Sequence, residues 1–435
     1  MRQNIITGRG IPMRIGLNKR KITPAIPVLM AGYEGVRKAE GIFDDLYAKV
    51  CIFEKNDQFY GIIQYDLIAV DNLIIEAVKE RALEIGLNMD HFVIAATHTH
   101  SGPGGVVETE GILKGMEKVF QKPDKDKIRF IADRTISALK AALENLSEGR
   151  IFFSFDQIQG VSGNRNDKNL NGSDEAFFIY IHKKNGEKAA VINFACHPTI
   201  LNASNRNISA DFPGAVDRFL EGKGYRFSMF LNGSSGDVST RYTRKDSSYE
   251  EVERMGSIIG QKVLENFESA TETDIEEFFG RKFRFSIMTK KPEEISEAKN
   301  SMDYYKEKFE NAKEEGISGG ELREIESRFE GARVSFHHAE HPFVMESFNL
   351  LITVFKINDH FFVVFPGELF SELSMKIADD KVHFINYGNG YIGYIANQNA
   401  YDKNYYEALT SPFARGEGER VMEKLEDIIK SWRKV

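Results

Sequence analysis

Two histidines one residue apart, His98 and His100, follow a short apolar stretch and precede a glycine-rich loop in ATHTHSGPGG, residues 96–105. Residues i and i+2 of a strand point to the same face, so both imidazoles can reach one cleft. The carboxyl ends of strands are where α/β sheets place their binding sites, and glycines let the backbone approach a ligand closely. The spacing alone is compatible with a metal site and with a structural pair of histidines.

Two further apolar stretches end in residues that can bind metal. NFACHPT places His197 at the end of one, and VVFPGELF places Glu368 at the end of the other. Each has an ordinary explanation in isolation, because a strand-end histidine often binds a backbone carbonyl and an acid opening a helix often interacts with the helix dipole. Together the stretches deliver two histidines and a carboxylate, a common zinc ligand set that leaves room for water. The recurrence therefore predicts a Zn2+ site.

Two other polar segments carry weaker signals. FSMFLNGSSGDVSTR ends in Asp237 and Ser239, but it is not the Gly-x-Ser-x-Gly elbow of serine hydrolases, and clusters of Ser, Asp and Gly usually form turns. The HHAEH cluster, with His337, His338 and His341, has metal-like spacing but follows a charged helix without a further ligand nearby. We interpret that cluster as structural.

Taken in order, these segments resemble the signature blocks of the neutral (alkaline, non-lysosomal) ceramidase family. ATHTHSGPGG, NFACHPT, GDVS and FPGEL are similar to its THTHSGPGG, xHPT, GDVSPN and PGE blocks. ITPAIPVLMAGYEG, GNRN at 163–166 and NGYIGYIANQNAYDKNYYEA resemble further blocks of the family. The resemblance extends from Ile22 to about Arg420 and implies a zinc-dependent amidohydrolase.

The resemblance also implies roles for individual residues. The zinc ligands would be His98, His197, Glu368 and Tyr394, of which Tyr394 is assigned by resemblance alone. Around the reacting bond, Ser239 would be the catalytic serine and His100 a histidine beside the metal. Arg165 would contact the substrate, and Tyr406 would stabilise the oxyanion. We further expect Asp237 to orient His100 or Ser239, with either Ser239 or a zinc-activated water as the nucleophile.

The chain also departs from the family pattern. GDVSPN reads GDVSTR here, so Thr240 and Arg241 follow the serine, and the family's TTxxEY stretch reads ANQNAY. Secreted members carry a C-terminal β-sandwich domain, which would begin where this chain ends. The expected substrate is an N-acyl amide or a sphingolipid-like molecule. A metal-dependent esterase or amidase for a small soluble cytosolic substrate is the alternative, followed by a non-catalytic binding homologue.

The elements that must position these residues alternate between strands and helices. Hairpin turns are predicted at Asn56-Asp57 and Asn185-Gly186, and helices over 73–86, 126–146, 249–266 and 415–432. Hairpins mixed with β-α units predict an α/β fold with a mixed β-sheet and helices packed on its faces. We expect one catalytic domain over 1–435. A Glu/Lys/Ala/Arg-rich helical hairpin is inserted at 290–340, and we interpret it as a solvated spacer or dimerisation arm in preference to a lid.

Composition limits the class of protein. The chain has 435 residues, 42% of them apolar and 28% charged, as is ordinary for a soluble globular protein. Its net charge of −8 disfavours nucleic acid as a partner. Cys51 and Cys196 lie in apolar stretches and are expected to be buried thiols. We find no signal peptide and no transmembrane segment, and therefore expect a cytoplasmic location. The oligomeric state is not indicated.

Overall fold

The computed structural model describes residues 13–170, 172–342 and 345–433. The strands are β1 Arg14–Lys21, β2 Gly41–Ile42, β3 Tyr47–Lys55, β4 Gln58–Tyr65, β5 Phe92–Ala96, β6 Ser147–Gln157, β7 Gly163–Asn164, β8 Glu175–Lys183, β9 Lys188–Phe194, β10 Asn207–Ile208, β11 Phe227–Asn232, β12 Val238–Ser239, β13 Thr271–Glu272, β14 Phe278–Met288, β15 Ser347–Ile357, β16 His360–Val364, β17 Glu368–Leu369, β18 Val382–Ile385 and β19 Tyr394–Ile395. The helices are α1 Asn72–Glu84, α2 Glu117–Phe120, α3 Lys125–Glu144, α4 Phe212–Glu221, α5 Tyr249–Asn266, α6 Ile295–Glu314, α7 Gly319–Glu340, α8 Ser371–Ser374, α9 Gln398–Asp402, α10 Tyr406–Thr410 and α11 Glu417–Trp432.

A mixed sheet of nine strands carries most of the site. Its order is β11-β9-β8-β6-β1-β3-β4-β5, with β13 paired to β6. The pairs β11–β9 and β4–β5 are parallel, and the pairs between them are antiparallel. Asn56 and Asp57 form the two-residue turn between β3 and β4, and both have the positive φ that such a turn requires. The predicted mixed sheet is confirmed.

A second sheet, β14-β15-β16-β18, covers one face of the large sheet. Phe177 and Met229 of the large sheet belong to the same apolar layer as Phe362 and Ile385 of the small one. The outer face of the large sheet is packed by α1 and α3 at one end and by α4 and α5 at the other. Helix α11 packs on the outer face of the small sheet. The layers therefore follow one another as helix, sheet, sheet, helix.

The inserted helical hairpin is confirmed as α6 and α7. It joins β14 to β15, whose register places Met288 opposite Ser347 at the point where the hairpin leaves the sheet. Tyr305 of α6 and Ala332 of α7 pack with Leu409 of α10, which attaches the hairpin to the site region.

Two expectations concern single features of the chain. Cys51 and Cys196 are free thiols, both buried, as predicted. In the part of the chain that the structure describes, no helix combines the length and the apolar character that crossing a membrane requires.

Candidate active site

Three imidazoles and a carboxylate converge where the strands end. His98 and His100 follow β5, His197 follows β9, and Glu368 opens β17. Nε2 of His197 lies 3.0 Å from Oε2 of Glu368, and Nε2 of His98 lies 3.4 Å from the same oxygen. Nε2 of His100 lies 3.2 Å from Nε2 of His98. The ligand atoms of the three histidines lie within 4.8 Å of one another, and this largely buried group could hold a metal ion.

The hydrogen bonds of two imidazoles fix which nitrogen carries the proton. Nδ1 of His98 donates to the Ile68 carbonyl at 2.6 Å, and Nδ1 of His197 donates to the Ser235 carbonyl at 2.5 Å. Because a carbonyl only accepts, both Nδ1 atoms carry a proton, and the Nε2 atom of each ring faces the Glu368 carboxylate. Burial lowers the pKa of His197 to about 3, so a second proton on that ring is absent at neutral pH. A cation between these atoms would relieve the repulsion, and the donor set fits Zn2+.

The backbone that carries the two histidines is held by one amide. Nδ2 of Asn232, the last residue of β11, donates to the carbonyls of Thr97 at 3.2 Å and Cys196 at 3.0 Å. These residues directly precede His98 and His197. His98 itself has a φ of 72°, a left-handed conformation that a histidine adopts only when its surroundings impose it.

His100 stands against a glycine. Gly32 has a φ of 101°, and a Cβ at this position would lie 2.6 Å from Nδ1 of His100, so only glycine fits. That Nδ1 atom is buried and has no hydrogen-bond partner among the described residues. Burial and the neighbouring histidines lower the pKa of His100 well below its usual value, so the ring is neutral at neutral pH.

Tyr394 lies beside Glu368 because β17 and β19 pair in parallel with these two residues opposite each other. Nη2 of Arg165 donates to the Tyr394 hydroxyl at 3.0 Å, and Nε of Arg165 donates to Glu407 at 2.6 Å. Burial raises the pKa of Tyr394 well above its usual value, while Arg165 opposes the rise. Sequence reasoning missed Glu407, although it directly follows Tyr406 in one of the quoted blocks.

Two more tyrosines contact the converging groups and were also missed. The Tyr391 hydroxyl donates to Oε1 of Glu368 at 2.5 Å. The Tyr387 ring stacks on His98 with 4.0 Å between ring centroids. Both residues follow β18, just as the histidines follow β5 and β9, and this recurrence was the signal that could have identified them.

Ser239 lies next to His197. The two residues form a backbone bridge, and Ser239 also pairs with Gly163 of β7. Its Oγ accepts from the Arg241 backbone N–H at 3.2 Å. Within the described ranges, this hydroxyl has no imidazole or carboxylate partner, so the arrangement differs from a serine-histidine pair.

Asp237 occupies a different position from the one expected. Its carboxylate accepts from the backbone N–H and hydroxyl of Ser371, at 2.6 and 2.9 Å, and from Nδ2 of Asn164 at 3.1 Å. It therefore anchors the segment after β17 and does not orient His100 or Ser239. Sequence reasoning overlooked this contact because Ser371 is 134 residues away in the chain. Burial raises the pKa of Asp237 to about 7, and the hydrogen bonds from Ser371 oppose the rise.

A cleft of about 510 Å³ opens over these groups. Its lining includes the four residues predicted to surround the reacting bond, which are His100, Arg165, Ser239 and Tyr406. It also includes Tyr394, one of the predicted metal ligands. One wall is formed by α7, including Gly320, Arg323 and Val334. The helical hairpin is therefore a wall of the cleft, which its interpretation as a solvated spacer did not include, while dimerisation through the hairpin stays a prediction.

The HHAEH segment forms a second group at the end of α7. His337, Glu340 and His341 are exposed, and their ligand atoms are close enough to hold a metal ion. This group lies on the surface, outside the cleft floor, so the buried group is the stronger candidate for catalysis.

Comparisons with known proteins identify the family of this chain. The sequence model of the family described as neutral/alkaline non-lysosomal ceramidase, N-terminal, matches residues 13–243. The neutral ceramidase of Pseudomonas aeruginosa is 26% identical over 319 residues, which cover 65% of this chain and 46% of that protein. The neutral ceramidase of Drosophila pseudoobscura is 25% identical over 259 residues, covering 52% of this chain and 36% of that protein. The chain thus spans less than half the length of the curated relatives it matches.

Two solved structures share the fold. The crystal structure of the neutral ceramidase from Pseudomonas aeruginosa has a TM-score of 0.76 at 19% identity, covering 98% of this chain and 75% of that chain. A ceramidase complexed with C2 has a TM-score of 0.74 at 17% identity, covering 98% and 76%.

Proposed function

This chain belongs to the neutral/alkaline non-lysosomal ceramidase family, and on that premise we propose that it is a zinc-dependent amidohydrolase that cleaves a linear N-acyl amide. The observation that carries the proposal is the convergence of Nε2 of His98 and Nε2 of His197 on one oxygen of the Glu368 carboxylate. The names of the relatives add ceramide-type amides to the candidate substrates.

In the proposed mechanism His98, His197 and Glu368 would hold the metal, and Tyr394 would be the fourth ligand. When bound, the metal supplies a Lewis acid that polarises the amide carbonyl and eases ionisation of the attacking water or hydroxyl. Arg165 fixes the Tyr394 hydroxyl by its hydrogen bond, and Tyr391 fixes the other carboxylate oxygen of Glu368.

Amide hydrolysis consumes one water, breaks the C–N bond and places a proton on the leaving nitrogen. His100 suits this proton transfer because its ring is neutral and its Nδ1 has no hydrogen-bond partner in the described part of the protein. We assign it the role of taking a proton from the nucleophile and returning it to the leaving nitrogen.

Tyr406 is the oxyanion donor in this proposal. Burial raises the pKa of Tyr406 above its usual value, so the hydroxyl stays protonated and can donate a hydrogen bond. Such a donor typically contributes ~3 kcal/mol to transition-state stabilisation. Ser239 supplies a second hydroxyl on the cleft floor beside His197, where it can attack or position the nucleophilic water.

An esterase acting on a small soluble substrate is the second candidate. The observation that favours a small substrate is the space directly behind the ligands, a pocket of only about 70 Å³ that His98, Glu368 and Tyr391 help to line. A long acyl chain would require more room in this direction.

The proposal is tested by following product release from short N-acyl amines, long-chain ceramide and the matching esters, with and without a chelator. We expect amide cleavage that the chelator abolishes and zinc restores. Cleavage of esters alone would favour the esterase, and failure of the metal-replete protein to cleave any of these compounds would leave a binding protein.

A further inference from the structure

Three cations line the cleft without an acidic partner. Arg241, Arg244 and Lys245 follow β12, and none of them forms an ion pair within the described part of the chain. Nη1 of Arg241 donates to the Arg165 carbonyl at 2.7 Å, and Nη1 of Arg244 donates to the Thr199 carbonyl. Their remaining donors are therefore available to a ligand.

The other two arginines of the cleft already have acidic partners. Arg165 pairs with Glu407, which lies behind the cleft floor. Arg323 pairs with both acids of its own helix that face the cleft, Glu326 and Glu330.

Two acids remain on the rim of the cleft. Glu34 pairs with Arg333, and Asp246 is exposed and accepts from the Ser248 backbone N–H at 2.9 Å. The carboxylates therefore leave a net positive charge around Arg241.

Of the three cations, Arg241 is the one whose charged form burial disfavours most. Burial, together with repulsion from Arg323 and Arg165, lowers its pKa to about 9. An unpaired cation in a partly buried site is unfavourable unless a negative group offsets it. An anionic oxygen group can do this through the planar, two-pronged contact that a guanidinium forms.

The second pocket at the site is small, and apolar side chains form much of its lining. The pocket of about 70 Å³ is lined by Ile112, Leu113, Met116 and Phe120, which lie in the segment between β5 and α3, and by Leu409 of α10. Its volume holds roughly five to seven atoms the size of a water molecule.

The scissile bond belongs at the junction of the two spaces. His100, Tyr394 and Tyr406 line both the small pocket and the cleft. A substrate whose amide lies at these residues directs one end toward the apolar pocket and the other toward the cations.

We propose that the substrate is an N-acyl compound with a short acyl group in the small pocket and an anionic oxygen group, a carboxylate or a phosphate, on the amine side, held by Arg241 with Arg244 and Lys245. This inference rests on the proposed amidohydrolase function and narrows its substrate class.

The test compares three substrates of one acyl length with metal-replete protein: N-hexanoyl-glycine, its phosphonate counterpart N-hexanoyl-aminomethylphosphonic acid, and the uncharged N-hexanoyl-glycinamide. We expect the wild-type protein to prefer at least one anionic substrate in kcat/KM by roughly ten- to a hundredfold, the effect of one charge-assisted hydrogen-bonded contact. Whether the protein prefers the carboxylate substrate or the phosphonate substrate shows which of the two anionic groups the site recognises.

Substitutions of Arg241 test whether this residue causes the preference for an anionic substrate. Arg241→Gln should lower kcat/KM for the preferred anionic substrate by at least about tenfold more than for the uncharged amide, and Arg241→Lys should retain part of the preference. Arg129→Gln, an exposed position on α3 whose side chain is 66% accessible, is the matched control and should behave as wild type. Equal losses on charged and uncharged substrates would assign Arg241 a structural role and overturn the proposal.

Calorimetric titration of the same three compounds separates the two levels of inference. Tighter binding of an anionic compound, weakened by Arg241→Gln, supports the anion site even if none of the amides is cleaved. Chelator-sensitive cleavage with equal binding and turnover of all three would overturn the anion site and leave the amidohydrolase proposal intact.

Discussion

The side-chain amide of Asn232 forms two hydrogen bonds with the backbone of Cys196. Its Oδ1 accepts from the Cys196 N–H at 3.1 Å, and its Nδ2 donates to the Cys196 carbonyl at 3.0 Å. The same Nδ2 donates to the Thr97 carbonyl. Since Cys196 precedes His197 and Thr97 precedes His98, a fully buried amide sets the separation of two proposed ligands without touching the metal position.

Asn232→Ala should therefore weaken zinc binding by roughly ten- to a hundredfold, as loss of a supporting contact around a metal site typically does. Asn193→Ala is the matched control, because its amide donates to two carbonyls, those of Leu231 and Phe384, away from the histidines. Both variants should lose about 1–3 kcal/mol of unfolding free energy. Competition with a zinc-sensitive dye distinguishes them, and equal zinc affinities would show that Asn232 serves stability only.

The purified protein should contain about one tightly bound zinc per chain, measured by elemental analysis. His98→Ala and His197→Ala should each lose it and most of the activity, because each removes one of the imidazoles that converge on Glu368. His341→Ala tests the exposed cluster and should retain the tight zinc. Protein that was never exposed to chelator and contains no transition metal would contradict the proposed centre.

Ser239→Ala should bind zinc and fold normally but lose at least ~100-fold in kcat, because in the proposed mechanism its hydroxyl attacks the amide or positions the nucleophilic water. Ser234→Ala is the control, since Ser234 Oγ is buried in the preceding loop without a hydrogen-bond partner among the described residues. Near-normal turnover by zinc-loaded Ser239→Ala protein would reduce this residue to part of a turn.

Gly32→Ala should lower kcat by at least about tenfold, because its methyl group would displace His100, and acid-base groups contribute on the order of a hundredfold or more to catalysis. Gly35→Ala separates this effect from backbone strain. Gly35 has a φ of 104°, close to the 101° of Gly32, but a Cβ there meets nothing within 4 Å. Equal kinetic losses in the two variants would attribute the effect to strain.

Asp237 should make stability decrease as pH rises. Its pKa is about 7 in the folded protein because of burial, against about 4 in an unfolded chain, so between these values the folded state binds the extra proton. The resulting decrease in the free energy of unfolding is complete above pH ~7 and amounts to roughly 4 kcal/mol at most. Asp237→Asn has no charge, so urea unfolding should show it gaining stability relative to wild type from pH 5 to pH 8. A difference that does not change with pH would contradict this assignment.

The strand-end groups could be predicted from the sequence because apolar stretches followed by His98, His197 and Glu368 mark the carboxyl ends of buried strands. Their mutual approach could not, since it depends on Asn232, an ordinary asparagine in the sequence. Tyr394 was identified by resemblance alone, because its position follows from a two-residue pairing with Glu368 that no periodicity reveals. Helix α7 forms a wall of the cleft because the hairpin packs over the site. The charged composition of this helix does not specify which surface of the protein it packs against.

The pairing of Met288 with Ser347 makes the cleft wall a modular part of the protein. The hairpin leaves and rejoins the sheet at two partnered residues, so β14 and β15 could be connected by a short turn with their register unchanged. The groups on the cleft floor come from other segments of the chain. Selectivity can therefore diverge by exchange of this insertion while the chemistry is conserved, and grafting hairpins from relatives offers a direct route to redesigning substrate scope.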